Sequence, residues 1–269
     1  MSTRAYGWLP QRPDHRDRLY HLEEPVQQPH RLPAKVDLWP NVPPIWDQGQ
    51  LGSCTAHGSL RAWITEAMRQ GITLPAAPAG GASLSRLMQY FDTRAVEGTT
   101  GSDSGGTVRD AVKVLATTGV APEFDWPYDI AQFTVKPPAQ CYTDAQQYMS
   151  VKYQSIRVGV GGAPMRTALA SGLAIVFGFS VPQSFEDGSW DAATEVLGLP
   201  GPSEGFVGGH CVCITGYDFS CSDFPEPFFW VDNSWSSAWG VGGRFRMAWD
   251  WFDPFRGLAT DLWCISAVK

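Results

Sequence analysis

A glycine-rich stretch that ends in a cysteine, DQGQLGSC at residues 47–54, constrains this chain more than any other feature. Apolar residues recur at helical spacing from Cys54 to Met68, and Gly71 is a natural helix stop, so the sequence predicts a helix that begins at Cys54. The unsatisfied N–H groups of a first helical turn favour the thiolate, which is the nucleophilic form of cysteine. The alternative is a small buried apolar side chain, the usual state of a free cysteine.

Two later stretches supply partners for a nucleophile. Residues 208–214 (GGHCVCI) place His210 at the start of an apolar run, and residues 230–235 (WVDNSW) place Asn233 at the end of another. Cysteine, histidine and asparagine in this order can serve as nucleophile, base and a group that orients the base. His57 is the rival base. It shares the helix of Cys54, whereas a base must approach from across a cleft, so we favour His210.

With these residues the chain resembles the papain-like cysteine peptidases. The resemblance covers about residues 40–250 in the family's order. It implies an α+β fold of two lobes, a helical N-terminal lobe and a β-barrel-like C-terminal lobe, with the active-site cleft between them. The segments that carry it are Gln48 six residues before Cys54, His210, Asn233-Ser234-Trp235, Trp239-Gly240, Ser104-Gly105-Gly106 and Trp126-Pro127-Tyr128.

The resemblance assigns a role to each matching position. It implies that Cys54 attacks the substrate carbonyl, His210 is the base, and Asn233 orients the imidazole. Gln48 would donate its side-chain N–H to the oxyanion beside the Cys54 backbone N–H. Trp235 would cover the hydrogen bond between His210 and Asn233, although a plain core aromatic is an equally ordinary use of tryptophan.

The resemblance also predicts where a peptide would bind. The backbone of Gly105 and Gly106 would pair with an extended substrate, whereas the bland reading of two glycines is a tight turn. The pocket for the second residue before the scissile bond would be lined by Cys211 and the neighbourhood of Phe177. We expect it to be apolar, with no fixed charge nearby, and to prefer Leu, Val or Phe over Arg by about 1–3 kcal/mol.

The chain departs from the family pattern at a disulfide. Leu51 and Asp103 occupy the positions where the family has two cysteines, and the six cysteines present lack the spacing of a disulfide framework. We therefore expect no disulfide and, because no signal peptide is visible, a cytoplasmic location. Export by another route would leave the same sequence. Cys211, Cys213 and Cys221 with His210 do not form two close pairs, which argues against zinc.

Composition excludes several classes of partner. The net charge of −7 and a pI near 5.2 argue against nucleic acid. No apolar run reaches the roughly 18 residues that a transmembrane helix needs. We expect a monomer that acts on a peptide or protein substrate without a metal or other cofactor.

The chain divides into three parts. Residues 1–36 form a proline-rich arm, residues 37–150 a helical lobe that carries the nucleophile, and residues 151–269 a β-rich lobe that carries His210 and Asn233. Helices are predicted from Cys54 to about Arg69, along an apolar face from 84 to 95, and after an N-cap at Thr107. Strands are predicted at 151–160, 173–180, 210–219, 227–233, 243–249 and 262–268, with one helix at 163–171.

The arm carries apolar side chains at Tyr6, Trp8, Leu19, Tyr20 and Leu22, too many for a purely solvated tail. We expect it to cross the cleft as a tethered inhibitor, which would make the chain a zymogen. The alternatives are a strap that only seals the β-rich lobe and a disordered tail. The sequence thus predicts an autoinhibited thiol peptidase that works through an acyl-enzyme. A papain-like acyltransferase or deconjugase, or a catalytically silent binding shell, are the other functions considered.

Overall fold

The computed structural model describes residues 4–20 and 32–269. Along the chain, most of the helical residues come before most of the strands. The α-helices are α1 (Cys54–Arg69), α2 (Arg86–Glu97), α3 (Val108–Thr117), α4 (Ala139–Asp144), α5 (Ala163–Ala170) and α6 (Gln183–Asp187). The strands are β1 (Lys35–Asp37), β2 (Ser150–Ser155), β3 (Ile175–Pro182), β4 (Val196–Leu197), β5 (Phe206–Asp218), β6 (Phe228–Asp232), β7 (Arg244–Ala248) and β8 (Ala259–Val268). Short 3-10 helices lie at Trp39–Asn41, Ile130–Gln132, Ala145–Gln147, Val160–Gly162 and Trp249–Phe252.

Local sequence signals explain where the larger helices begin and end. The Thr107 side chain accepts a hydrogen bond from the Asp110 backbone N–H at 3.1 Å, as its position before α3 predicts. Ser85 caps α2 in the same way through the Met88 N–H at 3.0 Å. Helix α2 ends at Gly98, whose left-handed backbone (φ 74°) suits glycine.

The strands form one sheet in the order β2-β8-β3-β5-β6-β7-β4, with β1 paired to β5. Every pairing is antiparallel except that of β4 with β7. Within the described residues no pairing joins β2 to β4, so the sheet is open. The β-rich part is therefore an open sheet where a barrel-like one was expected, because its two terminal strands do not meet.

The two faces of the sheet pack against different neighbours. On β5, Cys211 and Cys213 belong to the cluster around α1, whereas Val212 and Ile214 belong to the larger cluster on the opposite face. This is the two-residue period of a strand buried on both sides. The amino end of α1 is thereby held against the β3–β5 face.

A buried ion network ties α1 to the end of β6. The Arg61 guanidinium Nε donates to Asp232 Oδ2 at 2.6 Å, and both side chains are almost fully buried. Arg244 Nε donates to the other oxygen of Asp232 at 3.1 Å. Asp232 directly precedes Asn233, so this network fixes a predicted site residue relative to the helix of Cys54.

The described part of the arm has two stretches of contact. Residues 4–9 lie along the amino end of α1, and residues 17–20 lie beside β2, where the Tyr20 N–H donates to the Ser155 carbonyl at 2.8 Å. Arg109 of α3 pairs with Asp17 at 2.6 Å. The predicted contribution of Leu22, with the prolines at 25 and 29, lies outside the described residues.

Candidate active site

The sequence places Cys54 on the first turn of α1, and the structure buries it completely. Close approach of the sheet explains this burial, since a Cβ on Gly58 would lie 3.1 Å from both Cys211 Sγ and a Val176 methyl. Burial raises the pKa of Cys54 to about 11, against smaller opposing contributions from backbone N–H groups. In this state the cysteine is a neutral thiol.

His210 and Asn233 are joined by a direct hydrogen bond. His210 Nε2 donates to Asn233 Oδ1 at 2.8 Å, and the same oxygen accepts the Ser234 backbone N–H at 2.8 Å. Trp235 stacks on the imidazole with ring centroids 4.9 Å apart, so it shields this hydrogen bond from water. Burial lowers the pKa of His210 to about 4, helped by the nearby positive charge of Arg4.

The geometry leaves one imidazole nitrogen available. Among residues 4–20 and 32–269, His210 Nδ1 has no hydrogen-bond partner. Because Nε2 carries its proton toward Asn233, Nδ1 is the atom that can accept a proton. The arrangement matches a base that is oriented by an amide.

The rival base His57 lies in a different setting. Its Nδ1 donates to the Ser53 carbonyl at 3.1 Å, and Arg86 Nη1 lies 3.5 Å from its Nε2. Burial, with the positive charge of Arg86, lowers the pKa of His57 to about 3. Both imidazole nitrogens of His57 therefore face protein groups, and we assign His57 a structural role.

Gln48 is fixed on both atoms of its amide and is fully buried. Its Oε1 accepts from the Ser234 hydroxyl at 2.5 Å, and its Nε2 donates to the Leu51 carbonyl at 2.9 Å. The same Nε2 donates to the carbonyl of Ala5 in the arm at 3.1 Å. The amide is thus held with its N–H directed at a carbonyl oxygen that occupies the groove.

Consecutive residues of the arm touch the predicted site residues in turn. The Ala5 carbonyl meets Gln48, the Tyr6 ring packs edge-on to His210 with centroids 5.9 Å apart, and the Gly7 N–H hydrogen-bonds to the Cys54 sulfur. Three adjacent residues span only about 10 Å. The structure therefore brings Gln48, Cys54 and His210 together around one short segment of the arm.

The glycine pair makes backbone contacts with the same segment. The Gly106 N–H donates to the Gly7 carbonyl at 2.8 Å, and the Leu9 N–H donates to the Gly106 carbonyl at 3.0 Å. Gly105 has a positive φ of 73°, and a Cβ on it would lie 2.1 Å from the Gly7 oxygen. Gly105 is needed for this close approach of two backbones, whereas a Cβ on Gly106 would instead lie 2.7 Å from the Thr93 side chain of α2.

Asp103 links the loop that carries Gly105 to the loop that precedes Cys54. The Gly52 N–H donates to its two carboxylate oxygens at 3.1 and 3.0 Å, and the Tyr90 hydroxyl also donates to it. Tyr90 in turn accepts the Gly105 N–H at 3.0 Å. Hydrogen bonds thus connect the two loops at Asp103. All six cysteines, each within the described residues, are free thiols.

Two residues expected to line a binding pocket, Phe177 and Cys211, are both buried. The Phe177 side chain is fully buried on the face of β3 that packs against Phe252. Cys211 points toward Gly58 of α1, behind the nucleophile. Because side chains alternate along β3, the residue that faces the arm is Gly178, whose Cβ would lie 1.9 Å from the Trp8 indole.

A carboxylate lies beside the arm at Trp8. Asp261 Oδ2 accepts from the Trp8 indole N–H at 3.1 Å. The space that Trp8 occupies therefore has a carboxylate beside it, and the apolar pocket expected at Cys211 and the neighbourhood of Phe177 stays a prediction. No sequence signal pointed to Asp261, which lies within β8 and is distant in sequence from the other site residues. The only sequence signal at Gly7 is that it separates two aromatic residues, Tyr6 and Trp8.

Neither a metal site nor a membrane span is found in the parts of the chain that the structure describes. Residues 4–20 and 32–269 contain no group of three or more His, Cys, Asp or Glu side chains able to hold a metal ion. No helix among them is long and apolar enough to cross a bilayer.

Comparison with known proteins agrees with this architecture. The model of the papain family of cysteine proteases matches residues 32–253. A peptidase C1-like protein of Acanthamoeba polyphaga mimivirus, itself uncharacterized, is 32% identical over 287 residues, which cover 99% of this chain and 88% of that protein. Xylellain, a cysteine protease from Xylella fastidiosa, is 33% identical with a TM-score of 0.83, covering 100% of this chain and 99% of that one.

More distant structures share the fold alone. The proCathepsin B S9 of Trypanosoma congolense superposes with a TM-score of 0.69 at 19% identity, covering 91% of this chain and 80% of that one. The fold and the groove together define a papain-like scaffold of the α+β class. By the family match and by its 32–33% identity to two relatives of which 88% and 99% are covered, the chain belongs to the papain family of cysteine proteases.

Proposed function

We propose that this protein is a thiol peptidase that hydrolyses peptide bonds through an acyl-enzyme on Cys54, and that its N-terminal arm holds it inactive. The single observation that carries the proposal is the path of residues 5–8, which meet Gln48, His210, Cys54 and Gly106 in turn. A peptide substrate would have to lie on the same groups with an extended backbone, as the arm does.

In the open enzyme, each site residue would have one task. His210 Nδ1 takes the proton of the Cys54 thiol. The Cys54 sulfur bonds to the substrate carbonyl carbon while Gln48 Nε2 and the Cys54 backbone N–H stabilise the oxyanion. The C–N bond then breaks, and the amine leaves with a proton from His210. Water next adds to the thioester carbon, His210 takes its proton, and the sulfur departs. Asn233 keeps Nδ1 of His210 directed at the sulfur.

The arm would block this chemistry in two ways. It presents the Gly7 N–H to the Cys54 sulfur, so the group facing the nucleophile is a hydrogen-bond donor and not a carbonyl carbon. It also keeps water out, which leaves a neutral thiol (pKa about 11) beside a neutral imidazole (pKa about 4). Tethering supplies an effective concentration near millimolar, so modest contacts suffice.

The test is peptide hydrolysis by a full-length variant whose arm is displaced. We expect Gly7→Ala to cleave a mixed peptide library and Gly7→Ala/Cys54→Ala to be inactive. Adding His210→Ala to Gly7→Ala should lower kcat as far as removal of the nucleophile, because the pair acts as a unit. Full turnover by the variant that lacks Cys54 would refute the assignment. Products joined to an added amine in place of water would indicate a transferase.

A further inference from the structure

Two cysteine thiols face each other where α1 packs against the sheet. Cys54 is on the first turn of α1, and Cys211 follows His210 on β5. Both belong to one buried cluster, with 0% and 1% of their surfaces exposed. The backbone N–H of Cys211 hydrogen-bonds to the Cys54 sulfur. The nucleophile therefore has a second thiol on the residue next to its base.

The Cys211 sulfur lies over the amino end of α1. A Cβ on Gly58 would lie 3.1 Å from it. Gly58 is four residues after Cys54, and side chains with this spacing share one helix face about 5–6 Å apart. Because the Cα–Cβ bonds of a helix tilt toward its amino end, the Cβ direction at Gly58 leads toward Cys54. The missing side chain at Gly58 thus leaves room for the Cys211 sulfur beside the nucleophile.

This arrangement suits a disulfide. A disulfide needs Cα atoms about 4.4–6.8 Å apart, a separation within reach of two residues joined by one backbone-to-sulfur hydrogen bond. Burial raises the pKa of Cys211 well above its ordinary value, and the neighbouring Cys54 raises it further. Cys211 is therefore a poor first target for an oxidant, but it is placed to react second, with an oxidised Cys54.

The next cysteine on the same strand face provides a comparison. Cys213 is also fully buried and belongs to the same cluster. It lies two residues further along β5, which is about 6–7 Å from Cys211. Its charged neighbours are Asp232 and Arg61. Cys213 therefore matches Cys211 in residue type, burial and strand face, without the contact to Cys54.

We propose that Cys211 is a resolving cysteine for Cys54: once the arm has left, a peroxide converts the pair into a reversible Cys54–Cys211 disulfide, which protects the nucleophile from irreversible oxidation. The inference rests on the proposed function, because only an open groove and an activated Cys54 admit the oxidant. The alternative is that Cys211 serves only as a small apolar side chain that packs against α1.

Two steps form the disulfide. The Cys54 thiolate attacks one oxygen of hydrogen peroxide, the O–O bond breaks, and hydroxide leaves while Cys54 becomes a sulfenic acid. The sulfur loses two electrons, which the peroxide gains. The Cys211 sulfur then attacks the Cys54 sulfur, the S–O bond breaks, and the hydroxyl departs as water with the proton of Cys211. Without Cys211, further peroxide oxidises the sulfenic acid to a sulfinic acid, which thiols do not reduce.

The experiment treats full-length Gly7→Ala protein with hydrogen peroxide and divides the sample. One part is digested without reduction for mass spectrometry, and we expect a linked pair of peptides that carry Cys54 and Cys211. The other part receives dithiothreitol, and its peptidase activity is expressed relative to the same variant before peroxide. We expect dithiothreitol to restore at least about fivefold more of the lost activity in Gly7→Ala than in Gly7→Ala/Cys211→Ala, where Cys54 should carry a sulfinic or sulfonic acid. The matched control Gly7→Ala/Cys213→Ala should recover like Gly7→Ala.

Each outcome decides the proposal. The linked peptides are measured on Gly7→Ala itself, so this readout does not depend on how well the variant without Cys211 folds. An active Gly7→Ala protein that forms no linked pair, whether Cys54 is oxidised to a sulfinic acid or resists peroxide, would refute the resolving role and leave the peptidase function standing. Equal recovery with and without Cys211 would also overturn it. No hydrolysis of any peptide, with Cys54 also unreactive to a thiol-directed inhibitor, would refute the proposed function as well.

Discussion

Gly7 is the position at which a single methyl group should open this enzyme. A Cβ built on Gly7 would lie 1.7 Å from the Gly52 carbonyl oxygen, which is backbone beside the nucleophile. Neither atom belongs to a flexible side chain, so the arm must leave the groove to accommodate alanine. Residues 14–20 can stay attached through Asp17 and Tyr20, so the variant remains full-length and tethered.

The magnitude follows from the contacts that Gly7→Ala removes. Each hydrogen bond contributes about 0.5–1.5 kcal/mol net, so four contribute about 2–6 kcal/mol. Even 2 kcal/mol corresponds to about thirtyfold in the ratio of closed to open protein. The four bonds run from Gly106 N–H to the Gly7 carbonyl, Leu9 N–H to the Gly106 carbonyl, Trp8 N–H to the Gly209 carbonyl, and Gln48 Nε2 to the Ala5 carbonyl.

The assay is the second-order rate of Cys54 modification by an epoxide peptide inhibitor, measured on wild type and Gly7→Ala. We expect the variant to react at least about tenfold faster. Gly101→Ala is the matched control, because a Cβ there meets nothing within 4 Å, and it should react like wild type. Equal rates for Gly7→Ala and wild type would refute autoinhibition. A lower melting temperature with that unchanged rate would instead identify the arm as a strap.

Two further predictions concern charge. In wild type, the raised pKa of Cys54 should make its alkylation rate climb about tenfold per pH unit between pH 6 and 9. In Gly7→Ala, an imidazolium–thiolate pair should keep the rate nearly flat over that range; parallel profiles for the two proteins would contradict this. Asp232→Asn should cost about 3–5 kcal/mol of unfolding free energy in denaturant titration, because it removes the carboxylate that pairs with the buried Arg61 guanidinium and leaves Arg244 with Asp37 alone. The surface control Asp253→Asn should cost no more than about 1 kcal/mol, and a similar loss in both would mean that the buried network is not special.

Much of the site could be predicted because local sequence patterns identify its candidate residues. Cys54 follows a glycine-rich loop and opens a periodic helix, and His210 and Asn233 lie at the ends of apolar strands. The structure places His210 against Asn233 at 2.8 Å, and His210 beside the arm segment that contacts Cys54. Their catalytic roles remain predictions that the proposed experiments address.

The parts that sequence could not give depend on register and on long-range approach. Phe177 and Gly178 are neighbours on β3, and only the pairing of β3 with β5 decides which one faces the groove. Asp261 reaches the Trp8 indole because β8 lies beside β3, an adjacency between segments that are distant in sequence. The expected barrel became an open sheet for the same reason, since strand order is set by contacts that no local pattern records.

The most direct test of the central claim is to trap the acyl-enzyme. Gly7→Ala protein is mixed with a peptide thioester or activated ester, quenched in acid within milliseconds to seconds, and digested for mass spectrometry. The account predicts an acyl group on Cys54 that appears before product accumulates and is absent from Gly7→Ala/Cys54→Ala. Product formation with no adduct on Cys54, or an adduct that builds up equally on the other five cysteines, would contradict it.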